Sequence, residues 1–299
     1  MTATKIADRP NGFPVLCGRW LGQMPPGEAP VVFAPEVLSS GRFTLCSVFS
    51  PEGDEFYVCL RRTDEDVHDI VCMRRIDDIW APPEPVSFAA PNMDCDLCMS
   101  ADGSEIFFIS FRPLPGAKEP NRVIWRTART PGGWSDLVPL ECAGEVQRAG
   151  YPGISRAGAL FFSKRVDEES CGVFRADRVD GTYTEPQLVL GGMKRGGDLC
   201  VAPDESYLVA SCWDLGESDL YASFRNTDGS WSELRNLGAP INGPLVENCP
   251  MISHDGAYLF YLVHDRAADT SETRWVSTQA IERKRHDPSD DSGPEHRGP

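Results

Sequence analysis

Apolar and polar residues alternate along this chain in short runs, and the pattern predicts β-strands from one end to the other. Five segments share one form: an apolar stretch, a turn rich in Pro, Asp or Gly, and a second, strongly apolar run. They are VFSPEGDEFYVCL from Val48, CMSADGSEIFFIS from Cys98, GISRAGALFFSK from Gly153, CVAPDESYLVAS from Cys200 and MISHDGAYLFYL from Met251. Glycine supplies the positive φ of such a turn and Asp bonds the turn backbone, so each segment predicts a β-hairpin.

The hairpins form an internal repeat. Their turn positions recur 47 to 55 residues apart, at Gly53, Gly103, Gly158, Glu205 and Gly256. Two more β runs separate successive hairpins, and the second of each pair opens at an aromatic residue: Trp80, Trp134, Tyr183 and Trp231. A four-stranded unit repeated at this period is typical of a β-propeller.

The fifth unit predicts how the ring closes. After its hairpin comes one strand, TRWVSTQAI, and then no fourth strand, whereas PVVFAPEVLS near the start of the chain has Phe33 in the aromatic place. A blade completed from both ends removes open sheet edges. The sequence therefore predicts an all-β, five-bladed β-propeller of four-stranded blades whose last blade is closed by an N-terminal strand. An open sandwich of tandem hairpins is the alternative.

These boundaries divide the chain into three parts. Residues 1–28 are predicted to form an N-terminal arm, 29–283 the propeller, and 284–299 a polar, Pro-rich, disordered tail. No apolar run approaches the ~20 residues of a membrane span, and the first residues do not resemble a secretory signal. We expect a cytoplasmic protein with no membrane partner.

Charge and cysteine content narrow the function classes. The net charge of −16 argues against nucleic-acid binding, which needs clustered Lys and Arg. The eleven cysteines are an odd number, lack paired metal-ligand spacing and lie mostly in apolar strands. Buried, reduced thiols are expected, with no metal and no cofactor, although a reactive thiol or thiolate metal site at Cys46 and Cys249 stays an alternative.

Propeller geometry predicts one face for a ligand site. The starts of the innermost strands and the ends of the second strands meet there, at the mouth of the central channel. Aligning the innermost strands places one residue from each blade at a single ring position: Cys46, Asp96, Tyr151, Asp198 and Cys249. The candidate ligand-binding residues on this face are Arg61, Arg112, Arg148, Tyr151, Arg165, Arg195 and Trp213.

Two functions fit these residues. The guanidinium fork of Arg suits carboxylate or phosphate, so the first expectation is a ligand- or partner-binding propeller with a mixed Arg/carboxylate site for a small anionic or polar ligand. The alternative is a hydrolase or lyase acting on an anionic saccharide or related metabolite, with Asp96, Asp198, Glu247 and His264 as candidate catalytic residues. A third explanation of the same residues is that these cations pair with neighbouring acids on a solvated rim and bind no ligand.

The repeat resembles that of TolB-type bacterial β-propellers, whose mark is an apolar–Ser-Pro-Asp-Gly–aromatic hairpin. The likeness spans about residues 20–282. It includes LGQMPPGEAPVVFAPEVLS, NLGAPINGPLVENCPMISHDGAYLFYL and RWVSTQAIE, which look like a stand-alone subgroup of mostly unassigned activity. The resemblance implies the propeller fold and, since function lives in sites grafted on folds, leaves the activity to be argued from the site.

Overall fold

The chain is all-β, in a computed structural model that describes residues 12–38, 44–61, 68–88, 93–194, 197–213 and 218–285. Only short helical elements interrupt the sheets: a 3-10 turn at Trp20–Gly22, helix α1 at Pro35–Leu38 and helix α2 at Gln279–Arg285. None of the helices in these ranges is long and apolar enough to cross a membrane.

Five antiparallel sheets follow one another along the chain. The first contains β2 (Thr44–Phe49), β3 (Glu55–Arg61), β4 (His68–Ile76), β5 (Ile79–Trp80) and β6 (Glu84–Pro85). The second contains β7 (Asp94–Met99), β8 (Glu105–Ser110), β9 (Val123–Thr130), β10 (Gly133–Trp134) and β11 (Val138–Pro139). The third contains β14 (Gly150–Ile154), β15 (Leu160–Arg165), β16 (Ser170–Ala176) and β19 (Gln187–Lys194). The fourth contains β20 (Leu199–Val201), β21 (Tyr207–Cys212), β22 (Asp219–Phe224) and β23 (Arg235–Asn236). The fifth contains β24 (Val246–Ile252), β25 (Tyr258–Asp265), β26 (Thr270–Ser277) and β1 (Val31–Val32).

The predicted count of five blades is wrong, because the described residues form six sheets and the propeller therefore counts six blades. The sixth consists of two-residue strands: β12 (Glu141–Cys142), β13 (Glu145–Val146), β17 (Arg178–Val179) and β18 (Thr182–Tyr183). A parallel pairing of Cys142 with Tyr183 joins its two halves. Since these strands come from connections between the long hairpins, they carry no copy of the hairpin repeat, and the repeat could not reveal them.

The first strands of the five long sheets form the channel wall. Each of β2, β7, β14, β20 and β24 contacts the next, and β24 returns to β2. The starts of these strands are therefore held at one end of a common axis. This arrangement brings residues that are about 50 positions apart in the sequence to the same place.

The N-terminal segment completes the fifth sheet. Val31 pairs with Trp275 and Val32 with Arg274, so the predicted pairing is present over two residues before helix α1 begins. Phe33 follows, fully buried, with its ring 5.0 Å from Phe260 and 5.1 Å from Trp275. Burial of a Phe of this kind typically stabilises a fold by about 3–5 kcal/mol relative to Ala.

The domain boundaries stay predictions. Trp20 and Leu21, in the predicted arm, are buried against the rings of the fifth and first sheets, and Arg19 lies near Asp255 at 3.6 Å. Helix α2 runs across the predicted start of the tail at residue 284. Residues 286–299 lie outside the described part of the chain.

Three glutamates link neighbouring sheets, each between two arginines. We call them the glutamate clamps. Glu55 contacts Arg74 and Arg129, Glu105 contacts Arg126 and Arg178, and Glu205 contacts Arg175 and Arg225. In each clamp one arginine comes from the glutamate's own sheet and the other from an adjacent sheet. Because Glu105 and Glu205 are buried, two guanidinium groups supply the compensation that a buried carboxylate needs.

Candidate ligand site at the channel mouth

The walls of the channel are irregular at one level. The pairing register shifts in four of the inner strands, between Thr44 and Ser47, Cys95 and Cys98, Gly150 and Gly153, and Asn248 and Met251. A bulge places an extra residue against the partner strand and re-aims its side chain. The residues at this level are Cys46, Asp96, Tyr151 and Cys249, together with Asp198 just before β20, and all five line one cavity. We call this set the channel ring.

Three residues of the channel ring have left-handed backbones. The φ angles are 53° for Asp96, 54° for Tyr151 and 47° for Cys249. Such conformations cost non-glycine residues free energy and persist only where the surrounding structure enforces them. Their concentration at one end of the channel marks this level as the strongest candidate for a functional site.

Two carboxyl groups meet in the channel ring. Asp198 is 9% exposed, and its Oδ2 accepts a hydrogen bond of 2.9 Å from the Cys249 N–H. Burial raises the pKa of Asp198, while hydrogen bonds from Cys249 and from the Tyr151 side chain oppose the rise. Burial, followed by the charge of Asp198, raises the pKa of Asp96 to about 7. Near neutral pH the pair is therefore protonated in a fraction of the molecules, as is common for two close carboxyl groups.

Arg122 is a site residue that the sequence analysis missed. Its guanidinium carbon lies 4.7 Å from the centre of the Tyr151 ring, in cation–π contact. Its charge lowers the pKa values of both Asp96 and Asp198, against the larger effect of burial. The signal available in the sequence was Gly150: a Cβ there would stand 2.1 Å from Arg122 Nη2, so only glycine leaves room for this guanidinium.

Gly197 has a similar role on the other side of Tyr151. With φ at +155°, it sits where an added Cβ would be 2.7 Å from Ser163 Oγ and 3.0 Å from the Tyr151 ring. The tyrosine ring is thus packed between the Arg122 guanidinium and a backbone with no side chain. This packing fixes the direction of the phenol within the cavity.

Below the channel ring the cavity becomes apolar. It has a volume of about 70 Å³ and is lined by Val48, Met99, Ile154 and Val201, reaching Arg156 and His254 at its other end. A single water needs at least ~10–15 Å³ of such space, so the cavity holds several waters or one end of a small molecule. Polar groups are thus concentrated at the mouth, above an apolar channel.

The other predicted catalytic residues lie elsewhere. Glu247 is 1% exposed, and its negative charge helps to raise the pKa of Tyr261. Its Oε1 lies close to Gly243, 3.4 Å from where a Cβ would stand on that residue. His264 pairs in register with Val246 and Ser271, and burial together with Arg266 lowers its pKa. Neither is among the described residues that line the cavity. Their catalytic roles stay predictions.

Of the predicted cations, the four that the structure describes do not line the cavity. Arg112 donates a 2.6 Å hydrogen bond to Asp94 Oδ2 and lies over the Phe108 and Trp125 rings. Arg61 lies 3.6 Å from Asp269, and Arg165 donates to the Glu168 carbonyl at 3.0 Å.

The last three predicted residues have varied settings. Trp213 packs under the Arg266 guanidinium at 4.3 Å, while the Arg148 side chain is exposed. Arg195 lies outside the described residues. Of the predicted site residues, the structure thus brings together Asp96, Tyr151 and Asp198, and their binding roles stay predictions.

The thiols near the site are buried or half-buried. No disulfide joins the eleven cysteines, and no group of three or more His, Cys, Asp or Glu suited to a metal ion occurs among the residues that the structure describes. Burial raises the pKa of the Cys46 and Cys249 thiols above the usual range, so they are protonated at neutral pH.

Solved structures similar to this chain are β-propellers of several kinds. A TolB-like protein from Agrobacterium tumefaciens matches with a TM-score of 0.54 and 14% identity, over 81% of this chain and 79% of that one. A gluconolactonase from Xanthomonas campestris has a TM-score of 0.48 and 14% identity, over 85% and 96% of the two chains. An aldose sugar dehydrogenase from Streptomyces coelicolor, solved with its quinone cofactor, has a TM-score of 0.47 and 13% identity, over 87% and 83%.

No family model and no curated protein sequence matches the chain. At these identities the likeness to solved structures establishes the fold alone, and the function has to be argued from the site.

Proposed function

We propose that the channel ring binds a small polar ligand, with the Asp96 and Asp198 carboxyl groups and the Tyr151 hydroxyl oxygen as acceptors and the Arg122 guanidinium as donor. The observation that carries this proposal is the meeting of two carboxyl groups from different sheets with Arg122 at one end of the channel. The two carboxyl groups are held out of bulk water at a free energy cost, and such groups are well suited to a ligand that completes their hydrogen bonds.

The charge at the mouth favours a neutral or cationic ligand over an anion. Asp96 and Asp198 would repel an anionic group, and Arg122 already interacts with both. Two of the cations that the sequence suggested for an anion contact other acids, Arg112 with Asp94 and Arg61 with Asp269. A hydroxyl-rich compound or an amine has donors that match two carboxyl groups.

The test is a thermal-shift and calorimetry screen of the full chain at pH 7 against neutral sugars, polyols, small amines, sugar acids and inorganic phosphate. A ligand at a hundred times its Kd stabilises the folded state by about 2.7 kcal/mol. We expect a polyol, sugar or amine to bind, and Asp198→Asn to weaken that binding at least tenfold. Arg148→Ala is the matched control, since its side chain is exposed and should not contribute.

Two results would contradict the proposal. Binding of sugar acids or phosphate alone would reverse the charge argument. Binding of any of these compounds with equal affinity to the wild type and to Asp198→Asn would place the ligand outside the channel ring.

A second candidate function is acid–base catalysis on a saccharide or related metabolite, by a hydrolase or lyase. The observation that favours it is the pKa of about 7 for Asp96 beside a second carboxyl group, a combination suited to proton transfer near neutral pH. Such an enzyme would lose about 10²–10⁴-fold in rate with Asp96→Asn. A ligand that binds at the channel ring without turnover in the wild type at any pH would exclude it.

A further inference from the structure

We propose that Cys46 and Cys59 are an oxidation site, where a peroxide converts two neighbouring thiols into an internal disulfide. Their sulfur atoms are 3.4 Å apart, in contact but not bonded. The pair lies on the adjacent strands β2 and β3, with Cys46 in the channel ring and Cys59 directly behind it. This inference is independent of the proposed ligand.

The strand register allows the bond without moving the backbone far. Thr44 pairs with Leu60 and Ser47 with Val58, so Leu45 and Cys46 together oppose Cys59 at the bulge. Residues directly opposite each other in an antiparallel pair have Cα atoms about 4.5–5.5 Å apart. Disulfides span Cα separations of about 4.4–6.8 Å, so only the sulfur atoms have to approach, to about 2.05 Å.

The oxidant can reach one member of the pair. Cys46 lines the cavity and is 8% exposed, whereas Cys59 behind it is fully buried. The channel thus admits a molecule of the size of hydrogen peroxide to Cys46 first. Cys59 is placed to resolve the product, the arrangement expected of a sulfenic acid that condenses with a neighbouring thiol.

The reaction has two steps. The Cys46 sulfur attacks one peroxide oxygen, the O–O bond breaks, and a sulfenic acid and one water form. The Cys59 sulfur then attacks the Cys46 sulfur, the S–O bond breaks, and the hydroxyl leaves as a second water with the remaining thiol proton. Two thiols lose two electrons and the peroxide gains them. Burial, and with it the neighbouring Asp96 carboxylate, raises the pKa of both thiols. The thiolate is the nucleophile, so the reaction should be slow near neutral pH and accelerate as the pH rises.

Oxidation should change the hydrogen bonding of the channel ring next to Asp96. The Leu97 N–H donates a hydrogen bond of 3.2 Å to the Cys46 sulfur, and Leu97 directly follows Asp96. When the sulfur moves toward Cys59, that bond lengthens. The Leu97 amide therefore reports the oxidation state without any ligand, by a change of its NMR chemical shift.

The sequence offers a clean assay. Trypsin releases residues 43–61 as one peptide, which contains Cys46 and Cys59 and no other cysteine. We would expose the full chain to hydrogen peroxide, alkylate the remaining thiols after denaturation, and weigh this peptide. We expect it unalkylated, lighter than the reduced form by two hydrogen atoms, and fully alkylated after treatment with dithiothreitol.

Two variants sharpen the result. Cys59→Ser should accumulate a sulfenic acid at Cys46, detected with dimedone, whereas Cys171→Ser on a different sheet should leave the disulfide unchanged. The proposal is overturned if peptide 43–61 is doubly alkylated after peroxide, if Cys46 is linked to another cysteine, or if Cys46 proceeds to the sulfonic acid in the wild type. The wild-type peptide map decides even if Cys59→Ser does not fold.

Discussion

Two sets of largely buried carboxyl groups in this molecule have surroundings that differ in kind. In the glutamate clamps each carboxylate lies between two guanidinium groups from different sheets: Glu205 Oε2 is 3.2 Å from Arg175 and 2.8 Å from Arg225. In the channel ring two carboxyl groups, Asp96 and Asp198, interact with each other and with Arg122. Two cations for one acid tie sheets together, whereas two acids near one cation leave polar groups available to a ligand.

The backbone makes the same distinction. Glu55 and Glu105 stand at the starts of β3 and β8, and the pairing of these strands with β4 and β9 continues without a register shift. Asp96 stands at a bulge with a positive φ. The rest of the fold maintains a strained backbone conformation at Asp96, next to carboxyl groups that resist ionisation. This combination is typical of a site kept for function and not for stability.

The largest effect should come from breaking a clamp. Glu105→Ala leaves Arg126 and Arg178 without their shared partner, and we expect the free energy of unfolding to fall by about 3 kcal/mol. Urea denaturation measures this loss. Glu145→Ala, whose side chain is exposed, is the control and should stay within about 0.5 kcal/mol of the wild type. Equal effects of the two substitutions would mean that the glutamate clamps do not stabilise the fold.

A pH-dependent effect should come from the channel ring. The pKa of Asp96 is about 7 in the folded protein and 3.8 for an ordinary Asp, so its neutral form favours folding. That contribution is present below about pH 4 and is lost as the pH rises through about 7. Asp96→Asn removes the loss, so its stability relative to the wild type should increase continuously as the pH rises from 4 to 8.

Paired urea denaturations of the wild type and Asp96→Asn across this range measure the difference. The comparison isolates one group from the titration of the rest of the chain. A constant difference between the two proteins at every pH would mean that Asp96 ionises normally in the fold.

Removing Arg122 should change the site more than the fold. The guanidinium lowers the pKa values of Asp96 and Asp198, so Arg122→Gln should raise both, which carboxyl NMR shifts can follow without a ligand. Loss of a charge-assisted bond costs about 1.5–3 kcal/mol, roughly ten- to over a hundred-fold in the affinity for a ligand held there. We expect a stability change below about 0.5 kcal/mol, since the side chain is exposed. Unshifted carboxyl titrations would separate Arg122 from the pair.

The smallest effect should come from Arg148→Ala. The side chain is exposed, so both stability and ligand affinity should stay close to the wild type, within about 0.5 kcal/mol. Calorimetry with the compound found in the screen measures the affinity. A tenfold weaker affinity would extend the site toward the cationic mouth that the sequence suggested, and would blur the contrast between the two regions.

The hairpins and the ring position were predictable from the sequence because both are local. Turn residues such as Gly53 and Gly103 and the alternation around them predict each hairpin without reference to the rest of the chain. The repeat then placed Asp96, Tyr151 and Asp198 at one level, and in the structure they line one cavity. A repeat transfers position from unit to unit, so one correct alignment places every copy.

Only the tertiary structure decided how the sixth sheet assembles, which acids the arginines contact and that Arg122 lies at the channel ring. The sixth sheet consists of two short hairpins that turn at Ala143-Gly144 and Asp180-Gly181, and such turns are local signals. Their strands are only two residues long, and the parallel pairing of Cys142 with Tyr183 that makes one sheet of the two hairpins joins residues distant in the sequence. Arg112 follows β8 and Arg122 precedes β9, so both lie on the same face. Nevertheless Arg112 contacts Asp94, whereas Arg122 contacts Tyr151. That choice depends on packing between residues distant in sequence, such as the space that Gly150 leaves for Arg122, and such contacts exist only once the ring is closed.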